Sequence, residues 1–368
     1  MNFEQVCAIA QENAGVTDAE ARWPEKSIRA ISEAGLLGLT IPKQLGGSGS
    51  GMREFVRVTE GLAAACGSTA MIYLMHVCGA QVIAAAGHKP AIDAIVSGNM
   101  VTTLAFSERG SRSHFWAPVS RAQQNGAGIK VRADKSFVTS AGYAQAYVVS
   151  AGSVGGSAPT ESTLYFIDRE HPGVKALGPW TGMGLRGNSS TPMVFDCVLN
   201  EGARLTPEGG GFKAMMEIVL PWFQVGCAAV SLGVAKAAVG DTVRHVSSTR
   251  LEHLGETLAS GVPGIRARIA KMQLTLDSAR AYVDQVLSKL EAEAPDAMLG
   301  VLGVKAATAE AAVCITDEAM RACGGAAFSR NLSVERNFRD ARAASIMAPT
   351  TDVLYDFIGK AVCGLPLF

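Results

Sequence analysis

The spacing of hydrophobic residues divides the chain into three zones. From residue 1 to about 100, apolar side chains recur every three or four positions, which is the period of one face of an α-helix. From about 101 to 205 the apolar runs are short, β-branched or aromatic, and separated by Gly, Pro, Asp and Asn, as in strands joined by turns. After the glycines at 209–211 the helical spacing returns. The pattern predicts helices, then strands, then helices.

The last zone contains long apolar segments. Several consist almost entirely of Ala, Val and Leu, so we expect them to pack on more than one side, as helices do in a bundle. The short strands of the middle zone have a spacing typical of a small barrel or sandwich. The helices predicted for the last zone span 212–247, 264–293, 296–323 and 350–362. The predicted domains are 1–100 (helical), 101–208 (β-barrel) and 209–368 (helical bundle).

Composition and charge narrow the class of protein. Hydrophobic residues make up 48% of the 368 residues, which is enough for a large buried core. Lys and Arg together number 33, as do Asp and Glu, so no net charge favours nucleic acid or an anionic membrane. The apolar segments 60–86 and 218–240 are interrupted by polar residues and are interpreted as buried helices. We therefore expect neither nucleic acid nor a membrane as a partner.

The N-terminal residues, the cysteines and the histidines give no sign of a signal peptide, a disulfide framework or a metal site. The first residues, MNFEQVCAIAQENAG, lack the basic start and apolar core of a signal peptide. The eight cysteines include no Cys-x-x-Cys pair, which indicates reduced thiols in a cytoplasmic protein. His245 and His253 have no third ligand nearby in the sequence, so no metal site is predicted. His76 lies in an apolar helix and is predicted to be a core histidine with satisfied hydrogen bonds.

Three polar segments are candidates for chemistry. LAFSERGSRSHFW (104–116) is a loop that leaves a strand and carries serines and charges. DKSFVTSAGYA (134–144) is a strand with an aromatic residue beside hydroxyl groups. MRACGGAAFSRNLSVERNFRDAR (320–342) has a double glycine after a helix, where the backbone can approach a phosphate. Taken one at a time, they are better explained as a solvated turn, a strand with one core ring and a helix cap.

A fourth segment, RDARAASIMAPTTDVLYDF (339–357), contains an interrupted helix. Pro349 removes a backbone donor and disfavours helical geometry at Ala348 before it. Thr350 can cap a new helix, with Asp352 near its positive end. The sequence predicts a break centred on Ala348 and Pro349.

Together these segments resemble the signatures of the acyl-CoA dehydrogenase family, over nearly the whole chain. The family's first signature contains a Thr-Glu pair and ends in Gly-Ser-Asp; Ser107-Glu108 matches the pair and Ser113 matches the serine. Its second signature is Gly-Gly-x-Gly-Phe, then Glu, then Arg-Asp-Ala-Arg or Lys. That signature is matched in order and spacing by Gly324, Gly325, Phe328, Glu335, Arg339, Asp340, Ala341 and Arg342. Further matches lie at 33–49, 182–190, 194–199 and 209–216.

The resemblance implies an α+β fold with an N-terminal helical domain, a middle β-barrel and a C-terminal four-helix bundle, in agreement with the three zones. It also implies FAD between barrel and bundle, a CoA thioester (or a similar thioester) against the flavin, and a homotetramer or homodimer. Ser107 would contact the flavin ring, Thr139 would lie near its N5 atom, and Phe137 takes the place of the family's usual Trp. The Gly324-Gly325 turn would lie against the FAD pyrophosphate.

Other ligand contacts follow from the same resemblance. Arg321 replaces a Gln that contacts FAD, Arg250 loosely matches a cofactor-contacting Arg, and Ser113 would face the pantetheine arm of the substrate. The implied cofactor-binding residues are Ser107, Phe137, Thr139, Ser140, Arg250, Arg321, Gly324, Gly325 and Thr350. The implied substrate-binding residues are Ser113, Trp222, Phe223, Gln224 and Met347.

The family's catalytic base is missing from both of its usual positions. Family members remove the α-proton of the thioester with a carboxylate while hydride leaves the β-carbon for flavin N5, and this proton needs an acceptor within hydrogen-bond reach. Most carry that Glu shortly after Arg-Asp-Ala-Arg, where this chain has Ala348. Others, such as the isovaleryl type, carry it on the first bundle helix, where this chain has Phe223. The catalytic candidates that remain are His114 and Glu217.

These substitutions lead to three functional hypotheses. The first is an FAD-dependent oxidoreductase that acts on a CoA thioester by non-standard flavin chemistry, such as oxygenation or hydroxylation of an aromatic or cyclic acyl-CoA with O2. The second is an acyl-CoA α,β-dehydrogenase whose base has moved to Glu217, Asp352 or His114. The third is a non-catalytic flavin- or CoA-binding subunit.

Overall fold

The computed structural model describes residues 1–111 and 114–367 and has the predicted α+β architecture. The N-terminal helices are α1 (Phe3–Ala19), α2 (Glu25–Glu33), α3 (Met52–Ala65), α4 (Gly67–Ala85) and α5 (Lys89–Val96). The strands are β1 (Thr102–Ala105), β2 (Arg121–Asn125), β3 (Gly128–Val138), β4 (Ala146–Gly152), β5 (Ser162–Asp168), β6 (Val174–Ala176), β7 (Thr191–Leu199), β8 (Arg250–Leu251) and β9 (Glu256–Thr257).

The C-terminal helices agree closely with the predicted ones. They are α6 (Gly211–Ala214), α7 (Leu220–Ser248), α8 (Leu258–Gly261), α9 (Pro263–Glu291), α10 (Ala297–Cys323), α11 (Gly325–Phe328), α12 (Val334–Ile346) and α13 (Thr351–Val362). The helix predicted at 212–247 is confirmed as one helical segment, Gly211–Ser248, with a π-helical turn at Met215–Val219 between α6 and α7. The predicted break between α12 and α13 is confirmed.

The middle strands form one curled sheet. β4 pairs in parallel with β1 and antiparallel with β5, while β3 pairs antiparallel with β2 and β7, and β6 pairs with β7. Within the described residues, no strand pairing joins β5 to β6, so the predicted barrel is an open, curled sheet. The edge strand β6 is only three residues long, and its partner is β7.

Alternation along β3 explains how the sheet forms its core. Ile129, Val131 and Ala133 are buried, whereas the residues between them are not, because successive side chains of a strand point to opposite faces. The buried side chains pack with Tyr147 of β4 and Phe195 of β7, whose rings meet edge to face at 5.4 Å. This cluster of apolar side chains holds the sheet together and positions the end of β3.

His76 confirms the prediction of a satisfied core histidine. Its side chain is fully buried in α4. The Nε2 atom lies 2.9 Å from the Leu37 carbonyl, and Nδ1 accepts from the Thr102 N–H at 3.2 Å. Since the carbonyl can only accept, Nε2 carries the proton and the ring is neutral. Burial lowers the pKa of His76 to about 4.

The chain divides into two compact units. The first consists of Met1–Phe55, Met71–Gly182 and Arg186–Phe223, and contains the curled sheet. The second consists of Val56–Ala70, Met183–Leu185 and the chain from Gln224 onward, and contains helices α9, α10, α12 and α13. The predicted domain bounds 1–100, 101–208 and 209–368 stay a prediction.

Among the residues that the structure describes, three helices are long and apolar enough to cross a membrane by length and composition. They are Gly67–Ala85, Gly211–Ser248 and Ala297–Cys323, and 83%, 89% and 61% of their most apolar windows are buried within the protein. The first two therefore serve as core helices, while α10 retains a more exposed apolar side.

Candidate functional site

Strand β3 carries an exposed aromatic ring on a strained backbone. The register between β3 and β7 shifts between Lys135 and Val138, and within this bulge Phe137 adopts a φ of +56°. A positive φ is costly for a non-glycine residue and tends to occur at functional sites. The Phe137 ring is 66% exposed and makes an edge contact with Trp180 at 6.3 Å. An exposed ring fixed in this way indicates a ligand-binding surface.

Hydroxyl groups follow this ring along the chain. The Thr139 and Ser190 hydroxyls are buried and hydrogen-bonded to each other at 2.9 Å. Ser140 has a φ of +65°, and its N–H donates to the Asn188 carbonyl at 2.9 Å. Its hydroxyl is fully buried and has no hydrogen-bond partner among the residues described. Because an unsatisfied buried hydroxyl is costly, Ser140 is a candidate donor to a ligand.

A buried ion pair holds the start of the 104–116 loop. Lys135 Nζ lies 2.5 Å from Glu108 Oε1 and 2.6 Å from the Ser150 carbonyl, which accepts from it. The other Glu108 oxygen accepts from the N–H groups of Val119 and Ser120, the latter at 2.9 Å. Burial raises the pKa of Glu108, but the charge and hydrogen bonds of Lys135 outweigh burial and hold that pKa below its usual value. Glu108 is therefore a structural anion.

The other predicted residues of this loop lie at its surface or outside the described residues. Ser107 is half-buried, and its carbonyl accepts from the Ser136 N–H at 2.9 Å. His114 is exposed, with Nδ1 3.2 Å from the Ser111 carbonyl and its ring edge-on to Trp116. Ser113, the predicted contact of the pantetheine arm, lies outside the described residues.

In the second unit, Lys305 fixes the break between α12 and α13. Helix α12 ends at Ile346, and the backbone is extended at Met347 and Thr350, the N-cap residue of α13. The Lys305 ammonium is buried and donates to the Met347 carbonyl at 2.8 Å and to the Pro349 carbonyl at 2.6 Å. Burial lowers the pKa of Lys305 to about 8. These two bonds flank Ala348 and hold it in place.

The double glycine at the end of α10 leaves its backbone open. Gly324 adopts a φ of 56° and a ψ of −138°, a backbone conformation that residues other than glycine rarely adopt. A Cβ atom placed on Gly324 or Gly325 would meet nothing within 4 Å. The nearby Arg321 donates to Asp317 at 2.8 Å, and Arg250 donates to the Gly255 carbonyl at 3.1 Å. Both guanidinium groups therefore have intrachain partners.

The residues at the start of α7 differ sharply in exposure. Trp222 contacts Phe55 edge-on at 5.4 Å, and Phe223 is buried. Glu217 lies in the π-helical turn, is exposed, and is 3.9 Å from Lys213. Gln224 is fully buried, and neither its amide oxygen nor its amide nitrogen has a hydrogen-bond partner among the residues described.

The Arg-Asp-Ala-Arg stretch of α12 binds a neighbouring segment of its own unit. Arg339 forms two bonds to the Glu335 carboxylate, at 2.7 and 2.9 Å, and a third to the Met183 carbonyl. Asp340 accepts from the Leu185 N–H at 2.6 Å. A Cβ on Gly184 would come within 2.4 Å of the Arg339 carbonyl, so only glycine fits there. These charges are structural and fix segment 183–185.

Comparison with known proteins assigns these features to a family. Models of the N-terminal, middle and C-terminal domains of acyl-CoA dehydrogenase match residues 4–93, 103–198 and 209–363. The chain belongs to the acyl-CoA dehydrogenase family.

Individual relatives are distant but similar over most of their length. The short-chain specific acyl-CoA dehydrogenase of Sus scrofa mitochondria is 27% identical over 92% of this chain and 83% of its own. The cyclohex-1-ene-1-carbonyl-CoA dehydrogenase of Geobacter metallireducens is 24% identical over 94% and 91%. The structure of butyryl-CoA dehydrogenase from Megasphaera elsdenii is similar with a TM-score of 0.89 at 22% identity, covering 98% of both chains. This structural similarity shows that the two proteins share a fold.

FAD is the cofactor of acyl-CoA dehydrogenases, and the residues of each unit fit it. In the first unit, Phe137 presents an exposed ring and Ser140 an unsatisfied buried hydroxyl. In the second unit, the open backbone of Gly324 and Gly325 provides the close approach that a pyrophosphate requires. The intrachain partners of Arg321 and Arg250 do not support their predicted cofactor contacts, which stay a prediction.

The two positions predicted to correspond to the family's base are apolar in the structure as well as in the sequence. Ala348 lies in the break held by Lys305, and Phe223 is buried at the start of α7. Glu217 and Asp352 are exposed to solvent. The proximity of Glu217 to Lys213 at the surface weakens its assignment as a base.

Two lysines that hold parts of the candidate site in place were not predicted from the sequence. Each is nevertheless a charged residue at a position where the surrounding pattern predicts burial. Lys135 falls on the buried register of β3, two residues beyond Ala133. Lys305 is the only charged residue in the first half of α10, AMLGVLGVKAATA. A charge at a core position predicts a buried partner, and both lysines have one.

Proposed function

We propose that this chain is an FAD-dependent oxidoreductase that acts on a CoA thioester, or a similar thioester, by chemistry that needs no protein carboxylate as base. The observation that carries the proposal is the double replacement of that carboxylate by Ala348 and Phe223. The break at position 348 is present, and both hydrogen bonds from Lys305 hold it. Because the carboxylate is replaced while the break remains, we favour a different catalysed reaction over a loss of enzymatic activity.

The reaction that we propose is oxygenation of an aromatic or cyclic acyl group. A C–H bond of the acyl group is replaced by C–OH, the second oxygen atom of O2 leaves as water, and a reduced nicotinamide supplies the two electrons. Bound FAD supplies the redox chemistry and the reaction with O2. The chain's own residues bind and orient the ligands. Phe137 offers its exposed ring for stacking, and Ser140 offers a buried hydroxyl for a hydrogen bond. Trp222 and Phe223 provide an aromatic wall.

A dehydrogenase with a relocated base is the second candidate. It is favoured by one observation, the exposed imidazole of His114 in the loop that follows Glu108. Imidazole is the side chain best suited to proton transfer near neutral pH. If this candidate is correct, the acyl-CoA alone should reduce the flavin of the wild type, and replacing His114 with Gln should abolish that reduction without releasing FAD. If oxygenation is correct, the acyl-CoA alone should reduce the flavin of neither protein.

The test is a screen of acyl-CoAs with the FAD-loaded protein under ¹⁸O-labelled O2 and under nitrogen, each with a reduced nicotinamide. We expect an acyl-CoA product that contains one labelled oxygen atom, formed only under O2. A product lacking two hydrogens and formed under nitrogen would establish dehydrogenation instead. Binding of thioesters without any turnover would point to a flavin- or CoA-binding subunit.

A further inference from the structure

Gln224 is a buried amide whose hydrogen-bonding groups are unmatched. The side chain is fully buried, and neither Oε1 nor Nε2 has a partner within the described part of the chain. An amide has two donors and one acceptor, and leaving them unsatisfied inside a protein is costly. Such a cost persists in a native protein where a ligand or ordered water completes the bonds.

The position of Gln224 on α7 connects it with the break that contains Ala348. Gln224 and Cys227 are three residues apart and so lie on one face of the helix. Burial raises the pKa of the Cys227 thiol to about 12, and the positive charge of Lys305 partly offsets that rise. Lys305 in turn donates to the carbonyls of Met347 and Pro349. This face of α7 is thus directed toward the part of the unit that holds Ala348.

The backbone just before Gln224 is also unusual. The π-helical turn at Met215–Val219 immediately precedes α7, and the Leu220 N–H donates to the Met215 carbonyl five residues earlier. Single π-helical turns inside helices occur frequently at functional sites, because the extra residue turns the following side chains toward a new direction. Gln224 lies in the first turns of the helix that follows.

We propose that Gln224 is a specificity-determining residue that hydrogen-bonds a hydroxyl group on the acyl portion of the substrate. The inference rests on the proposed thioester function and names the substrate class more closely. A hydroxyl can accept from the amide N–H and donate to the amide oxygen, so a single group satisfies both ends of the side chain. A neutral amide without a charged partner is poorly suited to a carboxylate or an ammonium group.

The first experiment measures binding. The FAD-loaded wild type and the Gln224→Met variant are titrated with six CoA thioesters, and the flavin absorbance spectrum reports binding. Two are parents, butyryl-CoA and benzoyl-CoA. The other four are their hydroxylated forms: 3-hydroxybutyryl-CoA, 4-hydroxybutyryl-CoA, 3-hydroxybenzoyl-CoA and 4-hydroxybenzoyl-CoA. We expect the wild type to bind at least one hydroxylated probe about 5- to 150-fold more tightly than its parent, the range set by one unsatisfied buried polar group. In Gln224→Met, that preference should fall to within about 3-fold, because Met has a similar length but no hydrogen-bonding group.

The second experiment measures stability without substrate. If the amide is unsatisfied in the FAD-loaded protein, Gln224→Met should raise the Tm by about 1–4 °C. Ser231→Ala is the matched control, since the Ser231 hydroxyl is buried without a partner in the described chain, seven residues further along the same face. This variant should also raise the Tm, yet leave the preference for hydroxylated probes unchanged.

The possible results separate the inference from the function on which it rests. A lower Tm for Gln224→Met with an unchanged preference would show that ordered water satisfies the amide, and would overturn the inference. Equal binding of every hydroxylated probe and its parent by the wild type would also overturn it. Failure of all six CoA thioesters to perturb the flavin spectrum would contradict the thioester function itself. A preference that Gln224→Met abolishes supports the inference even if no oxygenated product forms.

Discussion

Ala348 is predicted to correspond to the carboxylate of most acyl-CoA dehydrogenases, and a methyl group cannot accept a proton. Phe223, at the family's alternative position, is buried and equally unable to do so. The consequence is chemical, because proton abstraction by a positioned base contributes roughly 10²- to 10⁴-fold to such reactions. At the residue scale, the proposed function depends on these two substitutions more than on any residue that is present.

His76 gives a residue-scale prediction about pH. The ring is neutral in the folded protein, with a pKa lowered to about 4 by burial, whereas in the unfolded chain its pKa returns to about 6.5. Between these values the unfolded state binds the extra proton, so stability is lost as the pH falls from about 6.5 to 4, by about 3 kcal/mol in total. Thermal melting of His76→Gln, which cannot titrate, should show a shallower pH dependence in that window. His253→Gln, at an exposed position, should keep the wild-type slope.

The Glu108–Lys135 pair gives a second prediction at this scale. Glu108→Gln leaves a buried ammonium without its counter-ion and should destabilise the protein by about 3–5 kcal/mol. Asp196→Asn is the matched control, because the Lys130–Asp196 pair of the same sheet is about half exposed and should contribute less than about 1 kcal/mol. Thermal melting of both variants compares them. Similar midpoints for the two would contradict the structural role assigned to Glu108.

At the scale of elements, the break between α12 and α13 is held by a residue of a third helix. The break itself follows from the sequence, since Pro349 prevents a continuous helix and Thr350 is suited to the N-cap position. Its attachment to Lys305 does not, because no local pattern shows which helix packs against 347–349. The same contrast holds for the Arg-Asp-Ala-Arg motif, which is easily recognised, while its contacts with 183–185 arise only from tertiary packing.

Lys305 gives the element-scale prediction. In Lys305→Met, the carbonyls of Met347 and Pro349 lose their donor, and amide exchange in the segment 344–354 should accelerate about 10- to 100-fold. Hydrogen-exchange mass spectrometry of the FAD-loaded protein measures this segment against β3 as an internal reference. Lys289→Met removes a partly exposed lysine of α9 and should leave exchange at 344–354 unchanged. Uniform acceleration throughout the chain would mean that Lys305 supports the fold in general and not the break.

At the scale of the whole molecule, the succession of helices, strands and helices could be predicted because its periodicities are local. The curled sheet was less predictable, since an alternating pattern gives strands but does not determine whether the ends of a sheet meet. Sequence motifs point to candidate cofactor contacts at Phe137 and Gly324-Gly325, and these contacts stay predictions. The exposure of Glu217 and the unmatched amide of Gln224 could not be predicted, because contacts between distant parts of the chain determine burial and hydrogen bonding there.

Association of copies of this chain is also a property of the whole molecule, and we propose a homodimer or homotetramer. A shallow groove between α9 and α10 is lined largely by small or apolar side chains, including Ala270, Leu274 and Ala311, and Leu274 is 68% exposed. Replacing Leu274 with Glu should dissociate the oligomer by placing a charge in this face. Light scattering coupled to size-exclusion chromatography measures the mass. A monomeric wild type would contradict the proposal.

The proposed function depends on the absence of a carboxylate at 348, within a break that Lys305 holds in place. Its most direct test is anaerobic mixing of saturated acyl-CoAs with the FAD-loaded wild type and with Ala348→Glu, following flavin absorbance and product mass. We predict no flavin bleaching in the wild type, and bleaching at least about 100-fold faster in Ala348→Glu, where a carboxylate returns to the position held by Lys305. Stoichiometric bleaching of the wild type with formation of a 2-enoyl-CoA would contradict the account.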